Sequence, residues 1–92
     1  AVTRDISLTV DEKVTAGALE EVIRENGGSM LEDVSLFDVY RGKQVGEGKK
    51  SAAFALTYRD AEKTLTDEEV NRVHSRILEA LHDQLGAVQR DI

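Results

Sequence analysis

The side chains that could do chemistry in this sequence are two histidines and a run of carboxylates. His74 and His82 fall in one predicted helix, about 80° apart around its axis and ~12 Å apart along it, so we do not expect them to share a metal ion. The acidic residues 67–69 follow Thr66 at the start of that helix, where capping and the helix dipole account for them. The sequence contains no cysteine. We therefore predict no catalytic residue and no metal site.

A segment rich in glycine and lysine has some features of a phosphate-binding loop. Residues 42–51 read GKQVGEGKKS, but with Lys49 as the motif lysine the first glycine position holds Lys43 and the Ser/Thr position holds Lys50. The segment also leads into a predicted strand, whereas a phosphate loop opens a helix. We interpret it as the tip of a hairpin.

Hydrophobic periodicity predicts six elements that position these residues. Strands are predicted at residues 4–10, 30–40, 50–58 and 87–89, and helices at residues 15–26 and 66–85. The order βαββαβ predicts an α+β ferredoxin-like fold, with one antiparallel sheet, two helices on one face and the other face open. Alternation fails at residues 34–36, where we expect a β-bulge. We expect residues 1–92 to be a single domain, and because the first residue is Ala1 rather than methionine, a piece of a longer protein.

Alternation also divides the strand residues between the two faces of the sheet. The side chains expected to face the helices are Ile6, Leu8, Phe37, Val39, Phe54 and Leu56. Those expected to face outward are Ser7, Thr9, Asp38, Tyr40, Ser51, Ala53 and Ala55. A flat face of small polar residues with one aromatic ring suits the stacking of an unpaired base. An ordinary solvated sheet face is the alternative interpretation.

The charge of the chain is unevenly distributed. Its 18 acidic and 12 basic residues give a net charge of -6, which argues against indiscriminate binding to nucleic acid or an anionic membrane. Residues 40–59 hold five Lys and Arg but one Glu, a local charge of +4 that leaves -10 for the remainder. A basic hairpin can still contact phosphate, because charges beyond a Debye length of ~8 Å are screened. Alternatively, the lysines keep a sheet edge soluble.

Four motifs occur in the same order as in a known family. They are RDISLTV at residues 4–10, LFDVYRG at 36–42, GKKS at 48–51 and TLTDEEVN at 64–71, with His74 three residues later. Over essentially its whole length the chain resembles the ferredoxin-fold anticodon-binding domains at the C-terminus of bacterial phenylalanyl-tRNA synthetase β subunits. The resemblance implies a domain that binds the anticodon stem-loop of tRNA(Phe) and does no chemistry itself.

The resemblance also implies which residues touch RNA. Tyr40 corresponds to the aromatic residue that stacks on an anticodon base, and Ser7 and Ser51 correspond to small residues that contact bases. The phosphate candidates, chosen by charge and position, are Arg4, Arg41, Lys49 and Lys50.

The parent enzyme that the resemblance implies is a cytoplasmic α2β2 heterotetramer using ATP and magnesium. This domain would need no cofactor or metal, and its partners would be tRNA, the rest of the β subunit and the α subunit, with no membrane or DNA. The main alternative is an ACT-like amino acid sensor, which usually has a glycine in the loop that residues 11–14 would form here. An RRM would need outward aromatics on the third strand, and an acylphosphatase-like enzyme would need an arginine-bearing loop after the first strand; we find neither.

Overall fold

Two helices and four strands follow each other in the predicted order. A computed structural model describes residues 2–42, 45–60 and 64–89. The elements are β1 (Val2–Asp11), α1 (Ala16–Gly27), a short 3-10 helix (Gly28–Met30), β2 (Leu31–Tyr40), β3 (Lys49–Tyr58), α2 (Asp67–Leu85) and β4 (Val88–Gln89). The strands form one antiparallel sheet in the order β2-β3-β1-β4. This arrangement confirms the predicted ferredoxin-like α+β fold.

α1 begins and ends at residues suited to capping. The Thr15 hydroxyl accepts a hydrogen bond of 3.1 Å from an amide in the first turn. Leu19 and Ile23 lie on the stripe that faces the sheet, and both are completely buried. The helix ends at Gly27, and Gly28 follows with a φ of 62°, a conformation that glycine adopts at little cost.

α2 is the longer helix and has a cap at each end. The Thr66 hydroxyl accepts a 3.2 Å hydrogen bond from the Glu69 amide, as the predicted capping box requires. Ile77 and Leu81 contribute completely buried side chains from its apolar stripe. Gly86 ends the helix in the left-handed conformation, at a φ of 67°, and its amide donates to a carbonyl of the last turn.

The hydrophobic core lies between the helices and one face of the sheet. On the two central strands, Ile6 pairs with Phe54 and Leu8 with Ala52, and each of the four is at most 2% exposed. The buried helix residues belong to the same cluster. Residues that alternate with these four point to the opposite face, which no element of the described residues covers.

The irregularity in β2 is not where the sequence predicts it. The predicted bulge lies at residues 34–36, but pairing with β3 slips near the start of the strand and again between Leu36 and Asp38. The second slip leaves Phe37 outside the ladder, and its side chain is 58% exposed rather than turned toward the helices. β2 is an edge strand, so a residue that the ladder skips has no neighbour on the outer side to hold it against the core. Val39 pairs with core residue Ala52, on the side predicted for it.

Candidate nucleic-acid interface

The predicted outward residues form a continuous patch on the face that the helices leave open. Tyr40 on β2 and Thr9 on β1 both lie opposite Ser51 on β3. Val88 on β4 lies opposite Thr9, so this rung crosses all four strands. Side chains directly opposite each other in a ladder have Cβ atoms about 4.5–5.5 Å apart. The rung therefore contains one ring, two hydroxyls and, at its far end, an exposed valine that sequence reasoning did not include. Ser51, in the middle of the rung, is only 7% exposed.

The next rung brings in the third predicted base-contacting residue. Ala53 lies opposite Ser7 on β1 and opposite Asp38 on β2. Ala53 is 8% exposed and Ser7 is half-buried, so the floor of this rung is small and flat. Asp38 adds an exposed carboxylate at its edge. Ser7 thus lies one rung from Ser51 and Tyr40, and the three residues share one small area of the open face.

The position of the Tyr40 ring depends on the turn that follows β2. A Cβ atom added to Gly42 would lie 3.2 Å from the Tyr40 hydroxyl and 3.4 Å from its Cζ atom. The absence of a side chain at Gly42 therefore leaves room for the ring beside the turn. The ring remains 42% exposed, which leaves apolar surface available for contact with a partner.

The exposed cations of the open face lie at one of its ends, whereas carboxylates lie at both. Arg41 and Lys49 are both exposed at the hairpin end, next to the rung of Tyr40. At the other end, Asp5 and Asp33 lie in the two rungs beyond Asp38 and are exposed. The cations predicted from the sequence for phosphate contact are thus adjacent to the ring. Asp11 lies directly opposite Lys49, and Glu12 and Glu47 are close by, so the hairpin end carries charges of both signs.

Two of the four predicted phosphate contacts lie on the other side of the sheet. Lys50 is opposite Val10, on the helix side, and is only 7% exposed. Arg4 is opposite Leu56, again on the helix side. Strand alternation already implies this, because both positions have the same parity as the buried residues of their strands. Arg4 and Lys50 are therefore removed from the set of contacts on the open face, and Arg41 and Lys49 remain.

Arg4 instead lies in the electrostatic environment of a buried tyrosine–histidine pair. The Tyr58 hydroxyl and His74 Nδ1 are 3.0 Å apart, and Tyr58 is completely buried. Burial raises the pKa of Tyr58 to about 12, against a smaller lowering by the charge of Arg4. Burial, and then Arg4, lowers the pKa of His74 from its ordinary value. A neutral His74 can accept a hydrogen bond at Nδ1 from the Tyr58 hydroxyl, so this histidine has a structural role beside the core.

The remaining cations of the basic segment are not part of the patch. Arg59 follows the far end of β3, and its Nε lies 3.3 Å from a carboxylate oxygen of Glu32. Lys43 lies outside the described residues. The basic residues that give residues 40–59 a charge of +4 therefore do not form one cluster. Only some of them lie exposed at the hairpin end.

A cleft of about 520 Å³ opens at the tip of the β2–β3 hairpin, where it meets the end of β1. Its lining combines two cations, two carboxylates and backbone from three glycines: Glu12, Arg41, Gly42, Gly46, Glu47, Gly48 and Lys49. The cleft adjoins the Tyr40 ring through Gly42, and a volume of this size is typical of small-ligand sites. The cleft brings Glu12, at the end of β1, next to residues 41–42 and 46–49, which are distant from it in sequence. The sequence alone did not predict this cleft.

Comparison with known families and proteins agrees with this arrangement. A model of the ferredoxin-fold anticodon-binding domain matches residues 1–90. The chain belongs to this family. The predicted resemblance is thereby confirmed.

Relatives of this anticodon-binding domain are β subunits of phenylalanine–tRNA ligases. Those of Geobacillus kaustophilus and Bacillus subtilis are 58% and 54% identical to the chain over 90 residues. The match covers 98% of this chain but 11% of each relative. The chain thus spans about one ninth of the length of the curated relatives it matches.

Two other features bear on what the anticodon-binding domain can do. Among residues 2–42, 45–60 and 64–89, no group of three or more His, Asp or Glu side chains is arranged to hold a metal ion. Within the same ranges, neither helix has the length and apolar character needed to cross a bilayer.

Proposed function

We propose that this chain is the anticodon-recognition domain of a phenylalanine–tRNA ligase β subunit and binds the anticodon loop of tRNA(Phe) on its open sheet face. The observation that carries the proposal is the placement of Tyr40, Ser51 and Ser7 in two adjacent rungs of a face that no described element covers. Membership of the anticodon-binding family and the names of the relatives support the choice of RNA.

Stacking on Tyr40 supplies the main attraction for a base. The ring is 42% exposed and its position is set by the β2 ladder on one side and by Gly42 on the other. Stacking of a base on an aromatic side chain contributes about 1–3 kcal/mol. Because Ser51 lies opposite Tyr40, a base on the ring comes close to a hydroxyl that can donate or accept a hydrogen bond.

Discrimination between bases requires contacts to their edges. Ser7 and Ser51 each offer a hydroxyl that can donate or accept, so they adapt to either type of edge atom. Asp38 offers only acceptors when ionised, and it therefore favours a base edge that presents amino or imino hydrogens. Ala53 lies between Ser7 and Asp38, where its short side chain allows a base to approach the sheet.

The positions of the two exposed cations orient the RNA backbone. Arg41 and Lys49 can each contact a phosphate at the hairpin end, where carboxylates also lie, whereas Asp5 and Asp33 at the opposite end offer phosphates only repulsion. A chain with a net charge of -6 can bind RNA in this way because the contact is local and oriented. The same charge disfavours indiscriminate binding.

The catalytic steps belong elsewhere in the proposed parent protein. The chain spans 11% of the length of its relatives, and we assign it the role of a binding domain without catalytic residues. ATP and magnesium are used by other parts of the ligase, which we propose is a cytoplasmic α2β2 assembly. The domain then has three partners: tRNA(Phe), the remainder of the β subunit and the α subunit.

A pair of substitutions at Tyr40 tests the binding mode. Tyr40→Ala removes the ring and should weaken binding of the tRNA(Phe) anticodon hairpin by about 1–3 kcal/mol. Tyr40→Phe keeps the ring and should retain most of the affinity. Fluorescence anisotropy with a labelled hairpin measures both. Equal affinities for wild type and Tyr40→Ala would show that Tyr40 does not stack on the RNA.

A further inference from the structure

The cleft at the tip of the hairpin has a lining that a simple phosphate site would not need. Arg41 and Lys49 can bind an anion, but Glu12 and Glu47 repel one. A ligand that contacts both types of side chain offers an anionic group to the cations and a hydrogen-bond donor to a carboxylate. A ribonucleotide backbone unit has both, because its phosphate is an anion and its 2′-hydroxyl can donate to a carboxylate.

The location of the cleft matches the path that RNA would take from a base stacked on Tyr40. Gly42 lines the cleft, and the Tyr40 hydroxyl lies beside Gly42. Lys49 lines the cleft and precedes Ser51 by two positions in β3, so both lie on the open side. A strand of RNA with one base on Tyr40 would therefore have its neighbouring backbone unit beside the cleft.

The wall that contains Glu12 is attached to the hairpin by backbone hydrogen bonds. The Glu12 amide donates to the Gly48 carbonyl at 2.9 Å, which joins the end of β1 to the hairpin. On the hairpin side, the Lys49 amide donates to the Gly46 carbonyl at 3.3 Å. The backbones that carry Glu12 and Lys49 are thus held next to each other without any ligand.

We propose that this cleft binds the ribose–phosphate unit next to the stacked base, with Glu12 accepting a hydrogen bond from the 2′-hydroxyl and Arg41 and Lys49 binding the phosphate. This inference rests on the proposed function, because it takes the base on Tyr40 as its starting point. It adds a second element of recognition, by which the domain distinguishes RNA from DNA at one position of the loop.

The test is a double-mutant cycle between Glu12 and single 2′-hydroxyl groups. Anticodon hairpins carrying one 2′-deoxy substitution at each loop position in turn are titrated against the chain. At one position, loss of the hydroxyl should weaken wild-type binding about tenfold, as expected for a hydrogen bond to a charged group. In Glu12→Ala the same substitution should have no further effect. Glu21→Ala, an exposed glutamate on α1 with the same charge change, should retain the tenfold loss.

The possible results separate this inference from the proposed function. If no deoxy position loses its effect in Glu12→Ala, while Tyr40→Ala still weakens binding, the cleft assignment is overturned and the stacking of a base on Tyr40 stands. If Tyr40→Ala has no effect but the Glu12 coupling is present, the cleft binds RNA backbone and the stacking assignment falls. If free phenylalanine rather than RNA shifts the amide NMR signals of Gly42, Gly46 and Gly48, the cleft is an amino acid site and the inference is overturned.

Discussion

Two consecutive lysines provide a sharp test of which face of the sheet meets RNA. Lys49 is exposed and lines the cleft at the hairpin, whereas Lys50 lies on the helix side and is 7% exposed. We expect Lys49→Met to remove one phosphate contact and Lys50→Met to remove none. Methionine retains an apolar chain at both positions, so the two variants lose the same charge at adjacent places.

The size of the effect follows from the number of cations at the hairpin end. Each phosphate contact to single-stranded nucleic acid contributes about 0.7 to the slope of log K against log salt concentration. With Arg41 and Lys49 both engaged, the slope is about -1.4, and binding weakens roughly sevenfold between about 50 and 200 mM salt. Lys49→Met should lower the slope to about -0.7, which corresponds to a roughly 2.6-fold loss over the same range.

The assay is a series of hairpin titrations at four or more salt concentrations for the three proteins. Circular dichroism of each variant verifies that Lys50→Met remains folded. An unchanged slope in Lys49→Met, or a reduced slope in Lys50→Met, would refute the assignment of the open face and hairpin end as the RNA-binding side.

Two further predictions concern the stability of the chain. The free energy of unfolding should decrease as the pH drops below about 6.5, because burial lowers the pKa of His74 and the unfolded chain therefore binds this proton first. It should also decrease as the pH rises above about 10, because burial raises the pKa of Tyr58 to about 12 and the unfolded chain therefore loses this proton first. Urea denaturation across this pH range measures both limbs, and greater stability at pH 5 than at pH 7 would contradict the first. Gly27→Ala should destabilise by about 1–3 kcal/mol, since its Cβ would overlap the Leu31 side chain, whereas Gly17→Ala in the same helix has room for the methyl group and should not destabilise. Thermal melting compares the two glycine variants, and equal melting temperatures would be inconsistent with the overlap.

The element order and the composition of the open face could be predicted because each depends on local periodicity. Alternation in β1 and β3 places Ser7 and Ser51 on the side opposite Ile6 and Phe54, and the ladder confirms it. The capping sequence at Thr66 likewise predicts where α2 begins. These features need no knowledge of distant parts of the chain.

Other features depend on contacts between distant segments. The bulge at Phe37 is fixed by the register between β2 and β3, which the sequence of β2 alone does not specify. The bond between Tyr58 and His74 joins a strand to a helix, and the cleft joins the end of β1 to the hairpin. The position of Arg4, by contrast, could be predicted from the sequence. Alternation along β1 places it on the helix side, and only its charge suggested that it contacts a phosphate.

The most direct test of the central claim compares the affinities of the 92-residue chain for two RNA hairpins. One is the tRNA(Phe) anticodon hairpin, and the other has the same length and charge but changed anticodon bases. If the open face reads anticodon bases, each lost base contact should cost about 1–3 kcal/mol, so the altered hairpin should bind at least about fivefold more weakly. Equal affinity for the two hairpins, or no binding of either, would contradict recognition of the anticodon by this domain.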